Sequence, residues 1–210
     1  ERILDGGYEA VYCVNPKAAG VRGRAGYASV CGIPAPVDLV VIASPAQTVP
    51  DVLRDAGKAG VTAAVIISSG FSEAGNAALE HAVADAAREY GIRYVGPNCA
   101  GIVNTEIGLV ATLEAAPSPG RVSLISQSGA IGGVFMSEAK ARGLGMAKFL
   151  SYGNGPDLNA VTLLAGLADD PNTDVIAMYV ENVKDGRAFM DALSDATAKK
   201  PVVIIKSGRT

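Results

Sequence analysis

The residues Ser126-Gln127-Ser128-Gly129-Ala130 follow the apolar run Val122 to Ile125 and precede a stretch of helical composition. A strand that turns straight into a helix leaves the first N–H groups of that helix without intrahelical acceptors, and the helix dipole adds positive potential there. With two hydroxyls beside them, such groups hold an anion, a phosphoryl group above all. Ordinary N-capping by Ser128 is the competing reading. A serine-hydrolase elbow fits less well, because Ser126 stands where G-x-S-x-G needs glycine and no histidine follows Ser128. Other segments that could do chemistry also close apolar runs. Val14-Asn15-Pro16-Lys17 places a cation after a rigid turn, as a phosphate contact or a solvated lysine. Ser44 and Pro45 are small enough to let a planar ligand approach the backbone, and Ser68-Ser69-Gly70 offers hydroxyl and N–H donors. Gly96-Pro97-Asn98-Cys99-Ala100-Gly101 constrains an amide and a thiol. With no histidine after it and no adjacent charge to lower its pKa, Cys99 reads as a small packed side chain and Asn98 as the group the turn positions. Glu181 ends the run Val175 to Val180, placed as a general base, as a partner for an imidazole, or as a capping or solvated carboxylate.

Ligands of open α/β sheets collect at the carboxyl ends of strands, which is where all these segments fall. Short β-branched runs alternate with amphipathic stretches, predicting an α/β protein with mainly parallel sheets. Strands are expected at Ala10 to Val14, Asp38 to Ile42, Ala63 to Ile67, Ile92 to Val95, Val122 to Ser126, Ala147 to Leu150, Val175 to Val180 and Val202 to Ile205. Helices are expected at Val49 to Ala59, Asn76 to Tyr90, Ala130 to Arg142, Leu158 to Ala168 and Arg187 to Lys199. Pro117-Ser118-Pro119-Gly120 interrupts the pattern, and the domain boundary is placed there, giving residues 1–117 and 118–210. Glu1 to Leu4 with Asp5-Gly6-Gly7 reads as the last turn of a helix with a glycine cap, and the final residues follow directly on a strand. The chain therefore reads as a piece that begins and ends within its fold.

The 210 residues are 49% hydrophobic and 19% charged, a composition of folded rather than disordered chains. A formal charge of −3 with no basic block argues against nucleic acid, and no apolar run reaches the roughly 18 residues a membrane span needs. Cys13, Cys31 and Cys99 lack C-x-x-C spacing, which speaks against a disulfide scaffold or a zinc site and for a reducing cytoplasm. The single histidine, His81, lies inside a predicted helix and reads as a partly exposed helical residue. Any mechanism that needs an imidazole must take it from elsewhere.

Taken in order, VNPK, PAPVDLVVIASPA, AVIISSGFSE, GIRYVGPNCAGIVN, GRVSLISQSGAIG, SYGN, DPNTDVI and KPVVIIKSGRT resemble the nucleoside-diphosphate-forming acyl-CoA synthetases. That family includes the succinyl-CoA synthetase alpha subunit and ADP-forming acetyl-CoA synthetase. The resemblance implies a Rossmann-like CoA-binding domain over 1–117, without its first strand, and a flavodoxin-like ligase domain over 118–210, incomplete at its C-terminus. It implies interconversion of acyl-CoA, ADP and phosphate with carboxylate, coenzyme A and ATP through a phosphohistidine that lies outside this chain. Lys17, Ser44, Pro45, Ser68, Ser69 and Gly70 then resemble CoA contacts. Ser126, Gln127, Ser128, Gly129 and Ala130 resemble the helix terminus that holds the phosphoryl group, Glu181 the carboxylate that orients the histidine, and Asn98 part of the active-site wall. The implied partners are an ATP-grasp domain or subunit that brings ATP with magnesium, a short-chain carboxylate substrate, and an oligomeric assembly. The resemblance assigns no metal ligand to this chain, and the fragment alone is expected to be inactive. Two alternatives remain: a catalytically inactive CoA-binding sensor domain of a protein acetyltransferase, and a nicotinamide oxidoreductase. The second lacks a G-x-G-x-x-G after a predicted strand.

Overall fold

Runs rich in valine and isoleucine become the strands, and the longer amphipathic stretches become the helices that cover them. The computed structural model describes residues 2–17 and 20–208, with the side chains of Arg2 and Asp5 excluded. The end of the KPVVIIKSGRT motif, Arg209 and Thr210, lies outside the described residues, as does Glu1 of the first predicted helical turn. In chain order the elements are α1 (Arg2–Asp5), β1 (Cys13–Val14), β2 (Gly26–Tyr27), β3 (Leu39–Ile42), α2 (Val49–Lys58), β4 (Ala63–Ile66), α3 (Ala77–Tyr90) and β5 (Arg93–Val95). They continue with β6 (Gly101–Asn104), β7 (Leu109–Thr112), β8 (Pro119–Ser126), α4 (Gly129–Ala141), β9 (Met146–Ser151), α5 (Ala160–Ala168), β10 (Val175–Val180), α6 (Gly186–Thr197) and β11 (Val202–Lys206).

Strands β3, β4 and β5 form a parallel sheet, Leu39 pairing with Ala63 and Ala63 with Arg93. Leu53, Ile66, Phe71, Val83 and Tyr94 are buried where α2 and α3 cover it. The larger sheet runs β11-β10-β8-β9-β6-β7. Its first four strands are parallel, whereas β6 pairs antiparallel with β9 on one side and with β7 on the other. Helices α5 and α6 pack on one face over Ile125, Ile176 and Met178, and α4 covers the other over Leu124, Met146 and Phe149. Cover on both faces, complete over the end of β8 and partial on one face of β10, explains why these parallel strands read as largely apolar runs.

The structure departs from the sequence reading in three places. The strand expected at Ala10 to Val14 is only Cys13–Val14, and it pairs with β2 in a separate two-stranded ladder. The hairpin β6–β7 has no counterpart among the expected strands. Gly101 and Gly108 punctuate it at positive φ, and its antiparallel edge follows no βα alternation. Third, β8 begins at Pro119 itself, inside the segment read as irregular, with the register slipping between Pro119 and Ser123. A proline at the first residue of a strand costs the ladder little, since it donates no bond there.

The two sheets are tied by side chains at their strand ends. Asp157, six residues past β9, accepts from Arg93 Nε at 2.9 and 3.0 Å and from the Tyr94 N–H at 2.8 Å. The Leu158 N–H returns a bond of 3.2 Å to the Tyr94 carbonyl.

Candidate active site at the strand carboxyl ends

Ser128 caps α4 from an extended conformation, its Oγ accepting from the Ile131 N–H at 3.4 Å. Among the described residues the N–H groups of Gly129 and Ala130 have no protein acceptor, so the capping serine leaves the dipole end open. Buried Ser126 donates its hydroxyl to the Ser128 carbonyl at 2.6 Å and fixes the turn. Ser128 therefore caps the helix, as one of the two sequence readings has it, and leaves two donors beside it. A side chain at Gly129 would place its Cβ 2.9 Å from that of Ala100, so the helix starts hard against the Gly96 to Gly101 turn.

Gln127 does not present its amide oxygen outward. Its Oε1 accepts from the N–H groups of Glu181 and Asn182, at 2.9 and 3.1 Å, and from the Tyr152 hydroxyl at 3.1 Å. That single oxygen fixes the loop that carries Glu181 relative to the start of α4. The Glu181 side chain is exposed beyond the end of β10, and its backbone carbonyl accepts from Lys206 Nζ at 2.9 Å. Burial, with the nearby Glu181 charge, raises the Tyr152 phenol well above its ordinary range, so it stays a donor to Gln127.

Asn98 sits at φ +59°, a left-handed conformation that asparagine tolerates better than most residues. Its N–H bonds the Ser68 carbonyl at 2.8 Å, and its Nδ2 donates to Asn154 Oδ1 at 3.3 Å. Ser68 in turn donates to the Ser44 carbonyl at 2.6 Å, so the ends of β3 and β4 and the Asn98 turn are bonded in series. Ser69 is exposed in this loop and Gly70 takes φ +106°. Pro45 is exposed beside half-buried Ser44. Cys99 is buried with its thiol on the Ile66 carbonyl at 3.2 Å, and burial pushes that thiol up to about 12, as suits a packed side chain. Lys17 lies apart from this bonded series. It is exposed after β1, its backbone N–H on Asn15 Oδ1 at 2.9 Å. His81 is exposed on α3, as expected.

Sequence reasoning brought forward neither Tyr152 nor Asn154 as site residues. The signal was their position after β9 between strand and helix, with glycines on either side of Asn154. Gly153 at φ +54° would place a Cβ 2.3 Å from the Pro97 and Asn98 carbonyls, so only glycine lets this loop touch the Asn98 turn. A concavity of about 320 Å³ between α5 and α6, lined by Asp169, Asp195 and Lys199 among others, holds none of these groups. No helix among the described residues is long and apolar enough to cross a membrane.

Residues 119–210 match the family model of the succinyl-CoA ligase like flavodoxin domain, and residues 2–105 match that of a CoA binding domain. Acetate--CoA ligase [ADP-forming] I of Archaeoglobus fulgidus is 43% identical over 203 residues, which span 95% of this chain and 30% of the relative. Acetate--CoA ligase [ADP-forming] I subunit alpha of Pyrococcus furiosus is 41% identical over 218 residues, covering 100% of this chain and 47% of the subunit. The solved dinucleotide forming acetyl-coenzyme A synthetase 1 of Ca. Korarchaeum cryptofilum superposes with a TM-score of 0.95 at 40% identity, over 100% of this chain and 46% of that one. The same synthetase is known in complex with phosphate and ADP. The chain thus spans less than half the length of each of these relatives. Matched along nearly its whole length by both domain models and by synthetases of one kind, it belongs to the nucleoside-diphosphate-forming acyl-CoA synthetase family.

Proposed function

We propose that the chain is the alpha-type region of an ADP-forming acyl-CoA synthetase, an acid-thiol ligase that interconverts acyl-CoA, ADP and phosphate with a carboxylate, coenzyme A and ATP. In this reading residues 1–117 bind CoA and residues 118–210 carry the phosphoryl-handling ligase domain. The observation that carries the reading is the open N-terminus of α4, whose first two N–H groups have no acceptor among the described residues and directly follow Gln127, the residue that anchors the Glu181 loop. A dianionic phosphoryl group suits such donors, because oriented N–H groups and the helix dipole stabilise it without reorganising during transfer. Glu181 would orient the histidine that carries the phosphoryl group. His81 does not fit that part, being on α3, and the imidazole comes from outside these 210 residues.

Coenzyme A fits the loops at the β3 and β4 ends: Ser69 is exposed, Gly70 opens the backbone, and Lys17 offers a cation for phosphate. When bound, CoA supplies the thiol that accepts the acyl group, while Ser44, Pro45, Ser68, Ser69 and Gly70 hold it against the sheet edge. An ATP-grasp domain or subunit brings ATP with magnesium, the substrate is a short-chain carboxylate, and the enzyme works as an oligomer in the cytoplasm. The test is an assay of the full-length protein with acetate, CoA and ATP. ADP and phosphate released in step with acyl-CoA support the proposal. AMP and pyrophosphate as products, or NAD binding in place of CoA in calorimetry, overturn it.

A further inference from the structure

The side chain of half-buried Asn154 stands between the Ser72–Glu80 segment and the Asn98 turn. Its Nδ2 donates to Glu73 Oε2 at 2.6 Å and to Glu80 Oε2 at 2.7 Å, and Ser72 Oγ lies 3.1 Å away. An amide nitrogen has two hydrogens, and here each meets a carboxylate. Ser72 completes the set as a donor, giving its own hydroxyl proton to Glu80 Oε2 at 2.7 Å. The other oxygen of Glu73 accepts from the N–H groups of Gly70 and Phe71, at 2.6 and 3.1 Å. Burial raises the Glu73 carboxyl, but the bonds from Asn154, Gly70 and Phe71 outweigh it and hold the group below its ordinary value. Glu73 is therefore an ionised clip on the backbone of the Ser68-Ser69-Gly70 loop, and Asn154 holds the clip. The remaining polar atoms of Asn154 reach the other half of the site. Its Oδ1 accepts from Asn98, its N–H bonds the Pro97 carbonyl at 3.0 Å, and its carbonyl accepts from Lys184 Nζ at 3.1 Å, three residues beyond Glu181.

We infer that Asn154 is a positioning residue for coenzyme A, which it serves by fixing the Ser68–Phe71 loop, through Glu73, to the end of β9, the strand paired with β8, after which the proposed phosphoryl site lies. The inference rests on the proposed role of that loop in CoA binding. A neutral amide is the group the position requires. A carboxylate there would face Glu73 and Glu80 as a third like charge, and an apolar side chain would take one donor from each.

The experiment compares the full-length enzyme with Asn154→Asp, Glu73→Gln and the double variant, measuring kcat, the KM for CoA and thermal unfolding. In the double variant the donor and acceptor are exchanged: the amide introduced at position 73 keeps its oxygen for Gly70 and Phe71 and turns its nitrogen toward the carboxylate introduced at position 154. Asn154→Asp is expected to raise the KM for CoA about tenfold with kcat changed less than about threefold, and adding Glu73→Gln to recover at least half of that loss on a logarithmic scale. An unchanged KM for CoA in Asn154→Asp, a lowered unfolding temperature as its sole effect, or two substitutions that simply multiply would overturn the inference. If Asn154→Asp does not fold, Glu73→Gln decides alone: it must raise the KM for CoA, and an unchanged value overturns the inference. Calorimetry of the unaltered enzyme with CoA separates the two levels. No CoA binding there refutes the proposed function, whereas CoA binding that these variants leave intact refutes only the role of Asn154.

Discussion

Gln127 shows how one side-chain atom can set the geometry of a site. From its place in Ser126 to Ala130 it resembles a phosphate contact, yet its oxygen is spent on two backbone N–H groups of the Glu181 loop and on a buried phenol. Gln127→Leu removes the acceptor while keeping the bulk, and leaves the Tyr152 hydroxyl without a partner in a residue only 3% exposed. A buried donor that loses its acceptor costs about 1–3 kcal/mol. Urea unfolding of Gln127→Leu should show a loss of that size, and Gln127→Glu, which keeps an acceptor oxygen, a smaller one. Equal losses in the two variants would mean the bonds contribute nothing beyond packing. Burial likewise governs Cys99: its thiol lies against a carbonyl, and desolvation outweighs the backbone N–H groups of Gly101 and Cys99 that favour the thiolate, as suits a packed side chain.

Among the elements, the helices covering the smaller sheet are held at close range by a glycine. A Cβ at Gly57 in α2 would lie 2.2 Å from Cγ and 2.4 Å from Cβ of Tyr90 in α3. Helix propensity alone favours alanine over glycine by about 1 kcal/mol at a helical position. Overpacking against a neighbouring helix costs about 1–3 kcal/mol, and the Tyr90 atoms in the way include Cβ, which cannot swing aside. Gly57→Ala is therefore expected to destabilise the protein in chemical denaturation, and a stabilised variant would show that the helices are free to move apart. Element identity was largely legible: the parallel strands β3, β4, β8, β10 and β11 and the helices α2 to α6 follow the alternation of apolar runs closely. The hairpin β6–β7 escaped because four-residue antiparallel strands between glycines look like a loop to any rule based on βα alternation.

At the scale of the whole molecule, the site exists because two sheets present their strand ends to one another. Asp157 and Arg93 bind them side by side, with the Tyr94 N–H sharing the same carboxylate. The ion pair itself is worth little, since the Arg93 side chain is 60% exposed. The N–H bond matters more, because Tyr94 is buried and its donor would be stranded. Asp157→Ala is expected to cost about 1–3 kcal/mol, mostly through that N–H. For a chain of this size that lowers the unfolding midpoint by roughly 2–12 °C in calorimetry. Arg93→Ala, which spares the N–H bond, should lower it far less, and a larger drop in Arg93→Ala than in Asp157→Ala would reverse the assignment.

The sequence by itself determined the α/β class, the order of most elements and the placement of the candidate site residues after strands. These are local matters, fixed by hydrophobic period and by what a strand-to-helix turn leaves unpaired. Tertiary structure decided which loops meet. Nothing in the spacing of Gln127 and Glu181, or of Glu73, Asn98 and Asn154, states that they touch. They meet because crossovers return each parallel strand to the same edge of its sheet, and because glycines such as Gly153 let backbones approach to contact. A side chain's partner across such an edge is a property of the folded register, which a linear reading of residue types does not contain.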